Sequence, residues 1–497
     1  MSEPPETLFE RALQDHQAGR LEEAVQLYRA GNAMRPGVAA SYGNLGQALA
    51  ALERWDEALE AFETTLVLDR GQIVGYIGQV NILYRLGRYA AAETLGWQMI
   101  EQFPDELAGY TNLAAILSRA HRFEAAWHVL RRAPAAAEHN APYLRNLGGV
   151  LSGLGARGVE RAIEAHRKSV ALDGDNPLAH LGLAEALLRA GRLAEGFEEY
   201  RPVLRLPALP GQEWTGEPIA GRSLLIHKDE GFGGGLGDVI HLSRYVPMAA
   251  ALGARITFAV PQSQISLMRS LGEDVALVPV GGAMPDCDFH CSLMALPRLF
   301  RTTLENIPAP AGYLRPPPER AAQWAASLSN LSGLRVGLIW AGFKYNAESG
   351  AELEDPRRIG LGPLMRLWQE PGVDFVSLQL GEAARDAALL PPGAVMHYAA
   401  SRIEDFADTA AAMAALDLVI SVDTSGAHLA AALGKPTWIA LASSCCWRWM
   451  YDRGDNPWYP TVRLFRQKGP GDWNGVADAL RRRLRAAARD RNALLAP

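Results

Sequence analysis

The sequence predicts an all-helical solenoid followed by an α/β region built on two parallel sheets. Three observations carry this prediction. Small and aromatic residues recur at one regular interval through the first part of the chain. Beyond that part, short apolar runs alternate with amphipathic segments, which is typical of strands followed by helices. A run of prolines, Pro316–Pro318, separates two cycles of this alternation.

The first part of the chain has the period of a helical repeat. Three tyrosines are equally spaced (76 − 42 and 110 − 76), and four alanines keep the same step. These residues are Tyr42, Tyr76, Tyr110, Ala24, Ala58, Ala92 and Ala126. The step equals the length of a tetratricopeptide repeat, and a small residue where two helices cross and an aromatic residue one turn later are typical of that repeat. We predict about six repeats over residues 1–205 and a proline-bearing linker over 206–222.

Three asparagines fall on the predicted first helices of the repeats: Asn44, Asn112 and Asn146. First helices line the concave groove of such arrays, which bind peptides or proteins. Side-chain amides can pair with a peptide backbone through both their donor and their acceptor. The alternative, which the sequence leaves equally open, is that the amides cap turns or face solvent. The groove is therefore predicted to bind a protein partner.

The α/β region divides into two predicted halves, 223–330 and 331–497, the second ending in a terminal helix. Eight strands are predicted: Ser223–His227, Arg255–Val260, Val275–Val280, Phe289–Leu293, Arg335–Trp340, Asp374–Leu380, Leu416–Val422 and Thr437–Leu441. Helices are predicted over Asp238–Ala251 and near 321–328. Strands that are apolar almost throughout are buried on both faces, so each half is predicted to be a parallel, doubly wound sheet.

The first motif is a glycine-rich turn between a strand and a helix, and it contains Gly234, Gly235 and Gly237. Glycines let the backbone approach a bound group and direct its N–H groups at oxygens. Asp238 follows at the start of the helix and is a candidate general base for an acceptor hydroxyl or amide. The alternative is an aspartate that only stabilises the positive end of the helix dipole.

The second motif follows the strand that ends at Val422. Unpaired N–H groups at the start of a helix, with the Thr424 and Ser425 hydroxyls, form a predicted anion pocket at the carboxyl end of that strand. A diphosphate suits this pocket, because negative charge builds up on it when a glycosidic bond breaks. The predicted diphosphate contacts are Thr424, Ser425, Gly426 and His428, and Asp423 orients their loop.

The two motifs resemble a known family. Residues 423–436, DTSGAHLAAALGKP, are similar to the nucleotide-binding signature of family 9 glycosyltransferases, the heptosyltransferase-like GT-B enzymes. Residues 236–240, LGDVI, resemble their first loop, where the aspartate is the proposed catalytic base. Order and spacing match over about 223–466. The resemblance implies a GT-B pair of Rossmann-like domains, with the acceptor on the first half and a nucleotide-sugar on the second.

Together with the repeats, the chain resembles bacterial tetratricopeptide-repeat glycosyltransferases that modify flagellins or other proteins. Three further segments are similar to these proteins: Trp447–Trp449, Asn456–Pro460 and Arg463–Gln467. The resemblance implies an inverting, metal-independent transfer, with Asp238 as the base and a protein acceptor bound by the repeats. One alternative is a lipid or polysaccharide acceptor, with the repeats used only for assembly. Another is a scaffold whose transferase half is inactive.

The chain departs from this family in two places. The first loop carries extra glycines at 233–235, and residues 343–358 form a long segment that is acidic in its middle. Lys344, Arg357 and Arg358 are the candidate cations for the donor phosphates within that segment. Gln379, at the end of a predicted strand, either bonds the nucleotide base or satisfies a neighbouring loop.

Other residues have simpler interpretations. Asp286-Cys287-Asp288 has the form of a metal-binding triplet of another transferase class. It lies in a loop before the strand Phe289–Leu293, and the fold predicted for this chain is not the fold of that class. Cys287 and Cys291 lack the second pair that a zinc site needs. We therefore expect no metal and no cofactor. Trp447 and Trp449 either stack on the nucleotide base or belong to the core.

Composition limits the function classes. The 497 residues include 49 Lys and Arg against 55 Asp and Glu, a net charge of −6. This balance argues against binding to nucleic acid, which requires an excess of basic charge. Four cysteines fit a reducing compartment. The first residues lack the basic and apolar regions of a signal peptide, and no apolar stretch is long enough for a membrane span. A cytoplasmic location is expected.

Overall fold

The computed structural model of the protein describes residues 3–204, 209–228, 234–342 and 357–495. Contacts within the chain define two compact units, the first ending at Leu154 and the second beginning at Gly155. Helix pairs fill the chain up to Tyr200, and parallel sheets follow them. The predicted fold class, a tetratricopeptide-like helical solenoid followed by an α/β region, is confirmed.

The first unit consists of helices that pack against their neighbours in sequence. They are α1 (Pro5–Gln17), α2 (Leu21–Met34), α3 (Ala39–Ala51), α4 (Trp55–Leu68), α5 (Ile73–Arg85), α6 (Tyr89–Gln102), α7 (Leu107–Arg119), α8 (Phe123–Leu130) and α9 (Ala141–Gly153). The four periodic alanines lie on α2, α4, α6 and α8 and are fully buried. Helix axes approach closely where side chains are small, which explains why alanine recurs at this position.

The repeat residues also hold the turns together. Gly19 and Gly87 follow the first helices of their pairs with φ of 76° and 71°, a conformation that side chains other than glycine rarely adopt. The hydroxyl of Tyr110 donates a hydrogen bond of 3.0 Å to the carbonyl of Pro104. A periodic tyrosine therefore binds the proline that closes the preceding repeat.

The second unit begins with three more helices: α10 (Val159–Leu172), α11 (Pro177–Arg189) and α12 (Leu193–Tyr200). Buried side chains of α11 and α12, among them Leu188, Phe197 and Tyr200, belong to the same apolar core as the sheets. The last helices of the solenoid therefore share a hydrophobic core with the α/β region.

The first sheet contains five strands, all parallel, in the order β1-β5-β2-β3-β4. They are β1 (Gln212–Glu213), β2 (Ser223–His227), β3 (Arg255–Val260), β4 (Val275–Pro279) and β5 (Phe289–Ser292). Strand β1 is an edge strand within the predicted linker. Trp214 directly after it is buried and packs edge-on against Phe300, with 6.2 Å between the ring centroids.

The second sheet contains six strands, all parallel, in the order β11-β10-β9-β6-β7-β8. They are β6 (Leu334–Ile339), β7 (Val373–Ser377), β8 (Met396–Tyr398), β9 (Leu418–Val422), β10 (Thr437–Leu441) and β11 (Val462–Arg466). In each sheet the strand order reverses direction beside its first long strand, β2 in one half and β6 in the other. A crevice opens at such a point, because the connections on its two sides run to opposite faces.

Short helices connect these strands: α13 (Leu236–Leu242), α14 (Val246–Ala250), α15 (Ile265–Met268), α16 (Leu296–Leu299), α17 (Pro318–Ser327), α18 (Leu361–Leu364), α19 (Phe406–Ala414) and α20 (Ser425–Ala432). The longer helix α21 (Trp473–Arg489) follows the last strand. The prediction of one helix over Asp238–Ala251 is wrong. A 3₁₀ turn at Ser243–Tyr245 separates α13 from α14, and Pro247, which has no N–H to donate, lies in the first turn of α14. No helix among the described residues is long and apolar enough to cross a membrane.

The terminal helix α21 is attached to its half by a buried carboxylate. Glu370, whose side chain is 3% exposed, accepts hydrogen bonds from Arg481 Nε at 2.7 Å and from Arg485 Nε and Nη2 at 2.9 Å each. The hydrogen bonds from Arg485 and Arg481 lower the pKa of Glu370 from 4.5 to about 2. Part of the basic run on this helix thus forms an ion-pair network with Glu370.

Replacing Glu370 with Gln is expected to lower the free energy of unfolding at neutral pH by about 1–3 kcal/mol, because two guanidinium groups lose their carboxylate. The folded pKa lies below the unfolded value, so this stabilisation is complete above pH 4.5 and is lost as the pH falls toward 2. Urea unfolding of both proteins at neutral pH and at about pH 3.5 measures the difference. A difference that does not shrink on acidification would contradict this assignment.

Candidate active site

A cavity of about 240 Å³ lies at the carboxyl ends of the strands of the second sheet. Its wall includes Ala341 after β6, Leu378 after β7 and Thr424 after β9. Leu236 and Ser263, which follow β2 and β3 of the first sheet, form the other side. The cavity therefore lies between the two halves, at the strand-order reversal beside β6, where open α/β sheets bind their ligands.

Helix α20 begins at this cavity. Ser425 and Gly426 line it, and Thr424 caps the helix in an extended conformation, with its hydroxyl 3.2 Å from the Ser421 hydroxyl. The Ala427 N–H donates to the Thr424 carbonyl at 3.1 Å, whereas the N–H groups of Ser425 and Gly426 have no acceptor among the described residues. The positive end of the helix dipole adds to the attraction of these two groups for an anion. A side chain at Gly426 would collide with Cδ1 of Ile339, so glycine lets this turn lie against β6.

Helix α13 of the first half packs directly against α20. A Cβ atom added to Gly237 would lie 3.0 Å from Cδ2 of His428 and 3.4 Å from Cα of Ser425. The first distance is shorter than an ordinary carbon contact and the second is at its lower limit, so a side chain at residue 237 would require the two helices to shift. The glycine-rich turn and the anion-binding turn are thereby brought together.

Asp238 is the next residue on α13, and its carboxylate is held at both oxygens. Oδ2 accepts a hydrogen bond of 3.1 Å from the N–H of Gly235, and Oδ1 is 2.5 Å from Nη2 of Arg448 in the second half. The carboxylate is 18% exposed and the guanidinium 8%. Asp238 therefore forms a largely buried ion pair that joins the two halves.

Asp423 lies between β9 and α20 and is half-buried. Burial raises the pKa of its carboxyl, and the charge of Asp238 raises it further. A hydrogen bond from the Trp449 indole and the charges of Arg357 and Arg448 lower this pKa and offset part of the rise. The carboxylates of both predicted motifs thus lie within electrostatic range of each other and of Arg448. The Arg448 guanidinium is close to both carboxylates and offsets the repulsion between them.

His428 is buried on the inner side of α20. Its Nδ1 lies 2.9 Å from the Tyr459 hydroxyl, and its ring stacks on Trp449 with 4.9 Å between centroids. Burial and the charges of Arg448 and Arg244 hold its pKa well below the ordinary value of 6.5, so the ring is neutral near pH 7. These contacts brace the start of α20, and a hydrogen bond from His428 to a phosphate stays a prediction.

A buried polar cluster continues this contact between the halves. His241 of α13 also has its Nδ1 2.9 Å from the Tyr459 hydroxyl, so one phenol binds an imidazole from each half. Arg244 donates to the carbonyls of Trp458 at 2.6 Å and Pro308 at 3.1 Å, with its guanidinium 4.5 Å from the Tyr459 ring centre. The cluster fixes the position of the helix that carries Asp238.

The other predicted donor contacts have partners within the protein. Arg358 forms an ion pair with Asp386 at 2.8 Å. Gln379 lines the cavity, but its Oε1 accepts from the N–H groups of Trp340 and Ala341, and its Nε2 donates to the Ala341 and Leu380 carbonyls. These bonds correspond to the loop-supporting alternative for Gln379.

Lys344 lies outside the described residues, as does the first part of the glycine-rich turn, 229–233. Gly234 and Gly235 are described, and Gly235 is the residue directly before α13. Arg357, named among the candidate phosphate cations, lies within electrostatic range of Asp423. A role for Lys344 in donor binding stays a prediction.

The three predicted groove asparagines lie in the first unit, on α3, α7 and α9. Asn44, Asn112 and Asn146 are all half-buried, and the side chain of Asn44 hydrogen-bonds to the Tyr28 phenol. Asn112 and Asn146 are one repeat period apart (146 − 112), and Asn44 and Asn112 are two periods apart (112 − 44). The three amides therefore occupy equivalent positions on first helices.

The Asp-Cys-Asp triplet supports the backbone. Asp288 accepts hydrogen bonds from the N–H and the hydroxyl of Ser223 at 2.8 and 2.9 Å, which attaches the start of β2 to β5. The thiol of Cys287 donates to the Pro210 carbonyl. Among the described residues, no group of three or more His, Cys, Asp or Glu side chains is arranged to hold a metal ion.

Sequence reasoning missed the partners of the predicted residues. Arg448 had been noted only within a tryptophan-rich segment, and nothing in its local sequence indicates that it binds Asp238. His241 and Arg244 were likewise missed, and Tyr459 had been noted only within the segment Asn456–Pro460. The available signal was weak: His241 and Arg244 are polar residues within a largely apolar stretch, where a buried polar group requires a partner.

No protein-family model matches the chain. A curated protein of Caulobacter vibrioides, Protein FlbA, is 28% identical over 500 aligned residues, which cover 85% of this chain and 81% of that protein. The similarity extends over most of both proteins, so it includes the helical solenoid as well as the α/β region.

Solved structures match about a third of the chain. MamA from Desulfovibrio magneticus RS-1 is 24% identical, covering 33% of this chain and 92% of its own, with a TM-score of 0.29. TTC0263, a thermophilic TPR protein of Thermus thermophilus, is 26% identical, covering 33% and 90%, with a TM-score of 0.30. YrrB, a TPR protein with an unusual peptide-binding site, is 16% identical, covering 35% and 90%, with a TM-score of 0.29.

Replacing Gly237 with Val is expected to lower the free energy of unfolding by about 1–3 kcal/mol, because the new side chain overlaps His428 and Ser425. Gly362 is the matched control, since it also lies in the first turn of a short helix and a Cβ atom there meets nothing within 4 Å. Urea unfolding measures both variants. Equal effects of Gly237→Val and Gly362→Val would show that the contact between α13 and α20 is loose.

Proposed function

We propose that this protein is an inverting, metal-independent glycosyltransferase that moves a sugar from a nucleotide-sugar to an acceptor protein, of the flagellin type, held by its repeats. The proposal rests chiefly on the contact between α13 and α20. That contact brings Asp238, a candidate base in one half, beside an anion-binding helix start in the other. Transfer to an oxygen nucleophile requires these two elements on either side of the reacting carbon.

The cavity between the halves supports a nucleotide donor. It lies at the strand-order reversal of the second sheet, with the start of α20 at one side, and its wall combines apolar side chains with polar ones, among them Glu404 and Asp405. The apolar part of this wall suits a base and ribose, and the N–H groups of Ser425 and Gly426 suit a diphosphate. Lys344, Arg357 and Arg358 are the proposed cations, of which Arg357 lies near Asp423.

The proposed chemistry is a single displacement. The acceptor oxygen attacks the anomeric carbon while the bond from that carbon to the diphosphate oxygen breaks, which inverts the configuration. The acceptor proton passes to the Asp238 carboxylate. Negative charge builds up on the departing diphosphate, and the N–H groups and dipole of α20, with the Thr424 and Ser425 hydroxyls, stabilise it. Residues of this chain alone thus supply the base and the anion stabilisation.

A protein acceptor is supported by the repeats. Tetratricopeptide arrays use their first helices to bind peptides, and this chain carries equivalent half-buried amides at Asn44, Asn112 and Asn146. Each amide offers one acceptor and two donors to an extended backbone. Binding through the backbone would suit a range of acceptor sequences, leaving the choice of residue to the active site.

Replacing Asp238 with Asn is expected to lower transfer by roughly 10²–10⁴-fold, because the amide cannot accept the acceptor proton. The assay measures nucleoside diphosphate release from UDP-glucose, UDP-N-acetylglucosamine, GDP-mannose and dTDP-rhamnose, and the mass gained by proteins of the producing cell. Donor binding, followed as the rise in melting temperature with UDP, GDP and dTDP, is expected to persist.

Asp274, an exposed aspartate of the same half, provides the control Asp274→Asn, which is expected to retain full activity. Unchanged transfer by Asp238→Asn would exclude Asp238 as the base. A wild-type protein whose melting temperature responds to none of the nucleoside diphosphates would favour an inactive scaffold, and transfer to lipid or glycan alone would exclude the protein acceptor.

The combined variant Asn44→Ala, Asn112→Ala and Asn146→Ala is expected to bind the acceptor roughly 10- to 1000-fold more weakly, since each lost hydrogen bond contributes roughly 0.5–1.5 kcal/mol. The measurement is recovery of glycosylated protein with the full-length chain as bait. Gln26→Ala with Gln98→Ala is the control, because these exposed amides lie on the second helices α2 and α6. Equal losses in both variants would place acceptor binding elsewhere.

A further inference from the structure

The ion pair between Asp238 and Arg448 constrains the carboxylate of the proposed base. A carboxylate has about four acceptor positions on its two oxygens. Gly235 uses one on Oδ2 at 3.1 Å, and Arg448 uses one on Oδ1 at 2.5 Å. One contact at each oxygen stops the carboxylate from rotating and leaves further acceptor positions for a substrate proton. The Gly235 contact caps the start of α13, and the Arg448 contact orients the carboxylate beyond that capping role.

Arg448 is itself held by several contacts. Its guanidinium lies 4.2 Å from the centre of the Trp447 ring, and its Nη1 donates to Sγ of Cys446 at 2.9 Å. Its carbonyl accepts a hydrogen bond of 2.7 Å from Nδ2 of Asn456, which fixes the 3₁₀ turn Trp447–Trp449. A guanidinium with an 8% exposed side chain cannot exchange its partner for water without cost, so its position favours the pair with Asp238.

The turn that carries Arg448 packs against the end of the helical solenoid. Phe197 of α12 meets the ring of Trp447 edge-on, with 5.6 Å between centroids, and the Arg189 Nε donates to the carbonyl of Cys445 at 3.2 Å. The phenol of Tyr200 lies within electrostatic range of both Arg448 and Asp238. The turn that carries Arg448 is therefore supported by the last two helices of the solenoid.

We infer that Arg448 is a positioning residue for the transfer step: it holds the Asp238 carboxylate at the orientation from which that group accepts the acceptor proton. This inference rests on the proposed function. It predicts an effect on turnover rather than on donor binding, because neither residue belongs to the apolar wall of the nucleotide cavity. Arg448 acts through Asp238 and needs no contact with the reacting atoms.

The test is steady-state kinetics of Arg448→Met and Arg448→Lys with the nucleotide-sugar from the panel above that the wild type uses. A misplaced base lowers turnover on the order of 10²-fold, so Arg448→Met is expected to lose kcat by that factor with an unchanged KM for the donor. Arg448→Lys is expected to recover part of the loss, because the ammonium keeps the charge but not the planar contact with Trp447. Arg453→Met is the control, since Arg453 pairs with the exposed Asp455 in the same segment.

A second measurement uses melting temperatures and is independent of activity. Arg448→Met and Asp238→Asn are each expected to lower the melting temperature, because each leaves the other member of the pair as a buried charge without its partner. The double variant removes both charges and is expected to recover part of the loss. Additive losses in the double variant would overturn the pairing. An unchanged kcat in Arg448→Met, alongside an inactive Asp238→Asn, would overturn the positioning role alone. Full activity of Asp238→Asn would overturn the proposed function instead.

Discussion

The approach of α13 to α20 depends on the missing side chain at Gly237, which lets one helix lie against His428 and Ser425 of the other. A side chain there would press on two turns whose chemistry is complementary. One turn ends in a carboxylate, and the other presents the positive end of a helix. If the two turns were separated by more than about one Debye length of solvent, dissolved salt would screen the interaction between their charges. The close packing at one glycine thus contributes to holding the two turns together.

This contact is reinforced by buried polar groups, which are costly unless they are paired. The hydroxyl of Tyr459, in the second half, contacts the imidazole of His241 from the first half and that of His428 from its own half. The Arg244 guanidinium lies over the ring of the same tyrosine. Hydrogen bonds tolerate displacement less than apolar contacts do, so this cluster specifies one arrangement of the halves. Burial keeps His428 neutral, which avoids placing a third cation beside Arg244 and Arg448.

The sequence was sufficient for features that depend on local pattern. Each of the eight predicted strands overlaps a strand of the structure, because fully buried parallel strands are apolar almost throughout. Strands β1, β8 and β11 were missed. All three lie at sheet edges, β1 and β8 are very short, and Val462–Arg466 contains two arginines. The pair of Asp238 and Arg448 was also missed. Its members lie in different halves and far apart along the chain, and only the tertiary fold relates them.

The last two helices of the solenoid, α11 and α12, pack into the core of the α/β region. Phe197 packs on both Trp447 and Trp458, which flank the turn of Arg448 and the polar cluster around Tyr459. Its neighbours on α11 and α12 share one buried core with the sheets. Because close-packed interiors transmit displacement, a shift of α12 would reach Arg448 through a single aromatic contact. The last helix pair is therefore best regarded as part of the α/β domain's core and as a structural support of the site.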